Sequence, residues 1–254
     1  MSASASQRRT KALLLAGGMG SRLRPLTDTV PKCLVEIGGR PLLDHWFAAL
    51  RRAGVHDAMV NTHHLPEPVR AFLAAKNGEG FRAVEAYEPQ LLGSAGTIAA
   101  HPDWADDADD VLIVYADNLS DLDLGAFLAT HRRHGAPFTM LLFHAPNPRA
   151  CGIAETDAEG RIVAFEEKPA EPRSDLANAG VYAVTAEAWR EIAALRAFDI
   201  GYHVLPRFVG RMQGHVHGGY HRDIGDLAAL ESARRAYAAG SRATHHSTST
   251  GSPP

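Results

Sequence analysis

Arg22 and Lys32 lie ten residues apart, just past an apolar run that gives way to glycines: "LLLAGGMGSRLRPLTDTVPKCL". The run ends at Ala16, so Ala16, Gly17, Gly18 and Gly20 line the mouth of the strand it forms. A glycine has no Cβ and lets its backbone N–H approach an anion closely. A guanidinium forks onto phosphate oxygens, whereas an ammonium acts as a point charge. These residues predict a loop that cradles a nucleoside triphosphate and supplies its own cations. Arg22 would meet the outer phosphates and Lys32 the inner one. Two other phosphate loops are excluded. A G-x-G-x-x-G fingerprint needs glycine where Leu23 stands, and the G-K-[ST] of a Walker loop does not occur.

Further along, Asp117 closes the apolar run "DVLIVYAD", and Asp223 sits in "HRDIGD". One or two carboxylates, completed by phosphate and water, suit Mg²⁺. Glu167 and Lys168 stand together in "FEEKP", and Asn178 has apolar neighbours in "NAGVY". A buried amide needs partners, and both a sugar hydroxyl and a backbone turn would serve. Taken singly, each of these residues reads as well as a cap, a turn or a solvated charge. His63 and His64 adjoin, but neighbours on an extended chain point opposite ways, which argues against a shared ion. They read as loop residues near the nucleotide.

Composition narrows the class. The 254 residues, 45% hydrophobic and 22% charged, suit one large domain or two small ones. A net charge of -3 leaves no basic excess for nucleic acid. Cys33 and Cys151 lie too far apart to form a metal-ligand spacing and read as packing residues in a reducing compartment. No run is long enough to span a bilayer, and "MSASASQRRT" lacks the apolar stretch of a signal peptide. The expectation is a cytoplasmic protein with neither a membrane nor a nucleic-acid partner.

The elements that must hold these residues alternate. "KALLLAG" reads as a strand buried on both faces, and "PLLDHWFAALRRAG" as a helix stopped by Gly54. Strands follow in "VHDAMVN", "FRAVEAY" and "DVLIVYAD", with a helix in "EPVRAFLAAKNG". "LGAFLATHRRHG" reads as a helix and "FTMLLFH" as a strand. This order predicts an α/β fold with a mostly parallel sheet covered on both faces. After about residue 150 the pattern turns antiparallel. "GIAETDAEGRIVAFEEKP" reads as a hairpin, "ANAGVYAVT" as a strand, and "GHVHGGYH" as one short strand between two helical stretches.

"LAGGMGSRLRPLTDTVPKCLVEIGGRPLL" resembles the signature of the sugar-phosphate nucleotidylyltransferases, L-x-G-G-x-G-[ST]-R-L-x-P-L-T followed by P-K-x-L and a later proline. "LLGSAGTI" resembles the L-G-[TS]-A-G-A-[IL] segment of that family, "FEEKP" its E-K-P motif and "NAGVY" its N-A-G-[IV]-Y strand. "HRDIGD" resembles its W-x-D-[IV]-G, and "VLIVYADNL" the strand that ends in a metal-binding aspartate. There Tyr115-Ala116 replaces the usual Asn-Gly. The resemblance runs from residue 11 to about 238. Its look is nearest to the mannose 1-phosphate and D-glycero-D-manno-heptose 1-phosphate guanylyltransferases.

The resemblance implies a single Rossmann-like three-layer domain over 10–239, with a nucleotide-binding half at 10–120 and a sugar-phosphate half at 121–239. Tails at 1–9 and 240–254 are expected to be disordered. It implies that a nucleoside triphosphate and a sugar 1-phosphate give an NDP-sugar and pyrophosphate, with Mg²⁺ on Asp117 and Asp223. Arg22, Lys32 and Asp117 would be catalytic. Ala16, Gly17, Gly18, Gly20, Glu88, Gly93 and Ser94 would bind the nucleotide. Gly152, Glu167, Lys168 and Asn178 would bind the sugar phosphate. Uridylyl- and thymidylyltransferases of this family carry glutamine at the position of Glu88. A carboxylate only accepts, and guanine offers two adjacent donors, so Glu88 favours GTP. A uridylyl- or thymidylyltransferase is the alternative, and a regulatory sugar-nucleotide sensor without turnover is another. No hexapeptide-repeat extension follows, so one activity is expected, and a homodimer stays open.

Overall fold

A computed structural model describes residues 8–78 and 80–246, with side chains as far as 238. β1 (Thr10–Leu15) leads through the hairpin of β2 (Glu36–Ile37) and β3 (Arg40–Pro41) into α1 (Leu42–Arg52). β4 (Asp57–Thr62), α2 (Pro66–Lys76), β5 (Arg82–Tyr87) and α3 (Ser94–Ala100) follow. Next come β6 (Asp110–Tyr115), β7 (Asn118–Ser120), α4 (Leu124–His134) and β8 (Phe138–His144). The remainder is β9 (Gly152–Thr156), β10 (Ile162–Glu167), β11 (Leu176–Thr185), α5 (Ala186–Ala194), α6 (Leu205–Phe208), β12 (Met212–Val216), β13 (His221–Asp223) and α7 (Leu227–His246).

Every residue of β1 is buried, which is why its apolar run is continuous. Ala12 and Leu14 face a core shared with Trp46, Phe47 and Leu50 of α1 and Phe127 of α4. Leu13 and Leu15 face the other way, toward Trp189 and Ile192 of α5 and Phe208 of α6. The alternation makes three layers: helices, sheet, helices. β1 lies between β4 and β6 and is parallel to both, and β5 is parallel to β4. The chain fills one side of β1 and then crosses to β6 on the other. That reversal opens a crevice at the carboxyl ends of β1 and β6. β11 runs antiparallel to β6, β8 and β9, and its register shifts between Asn178 and Tyr182. It joins the parallel half to the antiparallel β9–β10 hairpin.

"GHVHGGYH" is not one strand. β12 pairs in parallel with β8 in the main sheet, while β13 pairs antiparallel with β7 in a separate two-stranded ladder. Gly218 and Gly219 part the two. The helix expected to stop near 239 continues to His246. At the other end Arg8 and Arg9, placed in the expected tail, are held. Arg8 Nη2 donates to Asp110 Oδ1 at 3.1 Å, and the Arg9 backbone N–H donates to Asp109 at 2.7 Å. Residues 1–7 and 247–254 lie outside the described residues. No helix among the described residues is long and apolar enough to cross a membrane.

Candidate active site

The glycine loop leaves β1 directly into the crevice. Gly20 has φ +63, and a Cβ there would stand 2.9 Å from Thr27 Cγ2, so glycine is required. Gly18 is open, with nothing within 4 Å of where its Cβ would be. The first two amides are not available to a phosphate, contrary to expectation. Asn61 Oδ1 accepts from the N–H of Ala16 at 2.6 Å and of Gly17 at 3.1 Å. Asn61, at the end of β4, is a residue the sequence reading missed. Its signal was an amide inside the apolar run "DAMVNT".

Glu88 stands behind Asn61 and does not face the crevice. Only 2% of it is exposed. Its Oε1 accepts from Asn61 Nδ2 at 3.0 Å and Thr97 Oγ1 at 2.6 Å, and its Oε2 accepts from the Leu92 N–H at 3.0 Å. Both oxygens serve the fold, which corrects the assignment of Glu88 to the base. Gly93 and Ser94 are likewise taken up by protein. A Cβ on Gly93 would lie 2.1 Å from the Phe198 carbonyl oxygen. Ser94 Oγ accepts from the Ile200 N–H at 2.8 Å and donates to Asp199 Oδ2 at 3.2 Å. His63 and His64 point apart, as expected: His63 Nδ1 meets the Glu88 carbonyl and His64 Nε2 the Thr27 carbonyl.

The β7–β13 ladder brings the two aspartates together. Its register sets Asp223 against Asn118, and the Ile224 N–H donates to the Asp117 carbonyl at 3.0 Å. Lys32 Nζ reaches Asp117 Oδ2 at 2.5 Å and Asp223 Oδ1 at 3.6 Å. Burial and the Asp117 charge push the Asp223 carboxyl up, and Lys32 and Arg22 pull it down. The Asp223 side chain is still 57% exposed, so the like-charge repulsion is the part a bound cation would relieve. Two hard carboxylates side by side, with open positions left for phosphate and water, fit Mg²⁺. No set of three or more His, Cys, Asp or Glu that could hold a metal occurs among the described residues. Arg22 comes in beside Gly225, where a Cβ would stand 3.1 Å from its Nη2.

Beyond the aspartates lies a cavity of about 310 Å³, lined by Gly152, Glu167, Lys168 and Asn178 with Asp117 and Asp223 at its edge. All four residues expected on the sugar phosphate are therefore gathered in one place. Gly152 and Gly201 make room for the Glu167 carboxylate, whose Oε2 would lie 2.5 Å and 2.6 Å from Cβ atoms there. Burial and Asp199 push the Glu167 carboxyl up, and Lys168 opposes them. Lys168 has φ +52, a conformation that non-glycine residues adopt at a cost of about 1–3 kcal/mol. Asn178 donates to Tyr182 Oη at 2.7 Å and accepts from the Gly180 N–H at 2.9 Å. That leaves one of its N–H donors for a ligand. Tyr115, which departs from the family pattern beside the metal aspartate, lines the cavity too, and Cys151, Asp199 and His221 line it without having been foreseen there. Cys151 was expected to be a packing residue.

Residues 11–240 match the family model described as Nucleotidyl transferase. The chain belongs to that family. Relatives of this chain include a mannose-1-phosphate guanylyltransferase of Mycobacterium tuberculosis, 32% identical over 84% of this chain and 60% of that one. A UTP–glucose-1-phosphate uridylyltransferase of Synechocystis is also 32% identical, over 78% and 55% of the two chains. A glucose-1-phosphate thymidylyltransferase of Streptomyces antibioticus is 33% identical, over 87% and 64%. The chain thus spans about three-fifths of the length of these relatives. In fold it is similar to a Bacillus anthracis protein solved with sucrose (TM-score 0.80, 24% identity, 90% of this chain and 95% of that one). It is also similar to HddC from Yersinia pseudotuberculosis (TM-score 0.75, 21% identity, 89% and 99%).

Proposed function

We propose that this chain transfers a nucleotidyl group from a nucleoside triphosphate to a sugar 1-phosphate. The observation that carries the reading is the convergence of Asp117, Asp223 and Lys32 at the mouth of a cavity lined by Glu167 and Lys168. A sugar-phosphate oxygen attacks the α-phosphorus in line. The new P–O bond forms as the bond to the β-phosphate oxygen breaks, and pyrophosphate leaves with that electron pair. The nucleophile is already an anion, so no general base is needed. The barrier comes from bringing two polyanions together, and cations and positioning lower it. When bound at Asp117 and Asp223, Mg²⁺ supplies charge that offsets this repulsion. Lys32 turns from its carboxylate partners to the α-phosphate, and Arg22 meets the outer phosphates. Lys168 holds the acceptor's phosphate, and Glu167 accepts from its hydroxyls.

GTP is the donor we favour, with an acceptor of the mannose or heptose type. The support is the resemblance of the motifs and the guanylyltransferases of Mycobacterium tuberculosis, Schizosaccharomyces pombe and Danio rerio among the relatives. Buried Glu88 lends it none. The uridylyl- and thymidylyltransferase relatives make UTP and dTTP the competing donors. Pyrophosphate release from four NTPs, each against mannose-, glucose- and heptose 1-phosphate, tests both choices. A kcat/KM for UTP or dTTP above that for GTP would displace the guanylyl reading.

A further inference from the structure

The cavity that receives the sugar does not end at its wall. A second cavity of about 550 Å³ opens beside it and shares Phe143, Ala150, Cys151, His221 and Asp223 with it. The annex is the larger of the two, and the shared residues form their common border. Glu167 and Lys168, the residues proposed to hold the acceptor, line the first cavity and not the second. His221 stands at the junction. Its Nδ1 is buried and meets no protein partner. Its ring packs on Phe143, centroids 4.9 Å apart.

The annex has a definite chemistry. Phe143, Pro146 and Ala150 give it an apolar wall, and Asn147 and Arg222 bring donors. Arg222 is exposed, and its side chain makes no ion pair or hydrogen bond among the described residues. His217 and His144 are held by Asp121 and Asp175, at 2.8 Å and 3.0 Å. They are walls already partnered, whereas Arg222 and the His221 Nδ1 are groups still lacking one. Gly218 lies at the rim with nothing within 4 Å of its Cβ position.

We infer that the acceptor is a sugar 1-phosphate extended beyond a plain hexose by a substituent of several atoms that carries acceptor oxygens. This inference rests on the proposed activity and specifies its substrate. The substituent passes His221 into the annex, where Arg222 donates to its oxygens. A carboxylate and a neutral hydroxylated or acyl arm share this chemistry.

The test is a set of matched pairs: mannose against heptose 1-phosphate, glucose against glucuronic acid 1-phosphate, and N-acetylglucosamine against N-acetylmuramic acid 1-phosphate. Each is assayed for kcat/KM with the best donor. In at least one pair the extended acceptor should be favoured by about tenfold or more. The pair in which this happens distinguishes a neutral from an anionic arm. Gly218→Trp, which fills the annex, and Arg222→Gln, which removes its charge, should each bring that ratio back toward one. The ratio is read within one protein, so a partly folded variant lowers both members and cancels. Ratios near or below one in every pair overturn the inference while leaving the activity standing. A ratio that survives both substitutions also overturns it, because the preference then arises elsewhere. No pyrophosphate from any acceptor overturns the proposed activity, and this inference with it.

Discussion

Glu88 shows how far a residue's type can mislead without its neighbours. A carboxylate in a loop ahead of "LLGSAG" suited a base-reading role, but Asn61, 27 residues earlier, and Thr97, nine residues later, close over it. The two acceptor oxygens that argued for guanine instead fix Asn61, which ties down the start of the glycine loop. Glu88→Gln puts an NH₂ against a donor, either the Leu92 N–H or the Asn61 and Thr97 donors. We expect a loss of about 1–3 kcal/mol in stability, seen in a melting curve. The GTP-to-UTP ratio of kcat/KM should stay unchanged; a shifted ratio would return base reading to Glu88. Asp117→Asn and Asp223→Asn should each leave a folded protein that turns over at least about a hundredfold more slowly, with weaker Mg²⁺ dependence. Near-wild-type rates in both would remove the metal assignment. Arg22→Ala and Lys32→Ala should lower kcat, because their charges act in the transition state. Lys168→Ala should chiefly raise the KM for the sugar 1-phosphate, and an effect on the nucleotide alone would contradict the division of roles.

At the scale of elements, two short antiparallel pieces set the site on an otherwise parallel frame. The β7–β13 ladder juxtaposes the aspartates, and the β9–β10 hairpin delivers Glu167 and Lys168. The hairpin was legible because two alternating segments flank the turn at Asp157–Gly160. The ladder was not: three residues carry too little periodicity, and the partner strand lies about a hundred residues earlier. Asp199 escaped notice for a related reason, since only the packing of its segment onto Ser94 brings it to the cavity. The hairpin offers a sharp test. Gly152→Ala would set a methyl 2.5 Å from Glu167 Oε2 and 2.6 Å from Phe165 Cζ. The carboxylate must move. The KM for the sugar 1-phosphate should rise about tenfold or more while that for the nucleotide holds. Equal changes in both would mean that Glu167 is not an acceptor-specific group.

Across the whole molecule, chemistry and anchorage sit at opposite ends of the sheet. At the end of β6 away from Asp117, Asp110 has no side-chain exposure and meets Arg8 at 3.1 Å and Arg132 at 2.8 Å. Burial pushes its carboxyl up, but His131, Arg132 and Arg8 outweigh that and hold it below the ordinary value of 3.8. Its contribution is therefore complete above the unfolded value and is lost as pH falls through the lower, folded one. Asp110→Asn should cost about 1–3 kcal/mol of stability, because charge-assisted hydrogen bonds to a buried carboxylate are weakened while the half-exposed arginines keep access to water. The kcat/KM of the folded fraction should not change. The layers and the mostly parallel sheet were readable from apolar runs and their alternation with helices, whereas the order of the strands around β1 was not. The location of the candidate site was readable chiefly where motif and strand end coincide, as at Asp117. The central claim is the transfer itself, and phosphorus NMR of one reaction mixture tests it most directly. The purified chain, GTP, Mg²⁺ and a sugar 1-phosphate should yield a new diphosphate diester and pyrophosphate in equal amounts, with neither formed under EDTA. Appearance of inorganic phosphate with GDP, or of GMP with no diester, from a folded protein would contradict the account.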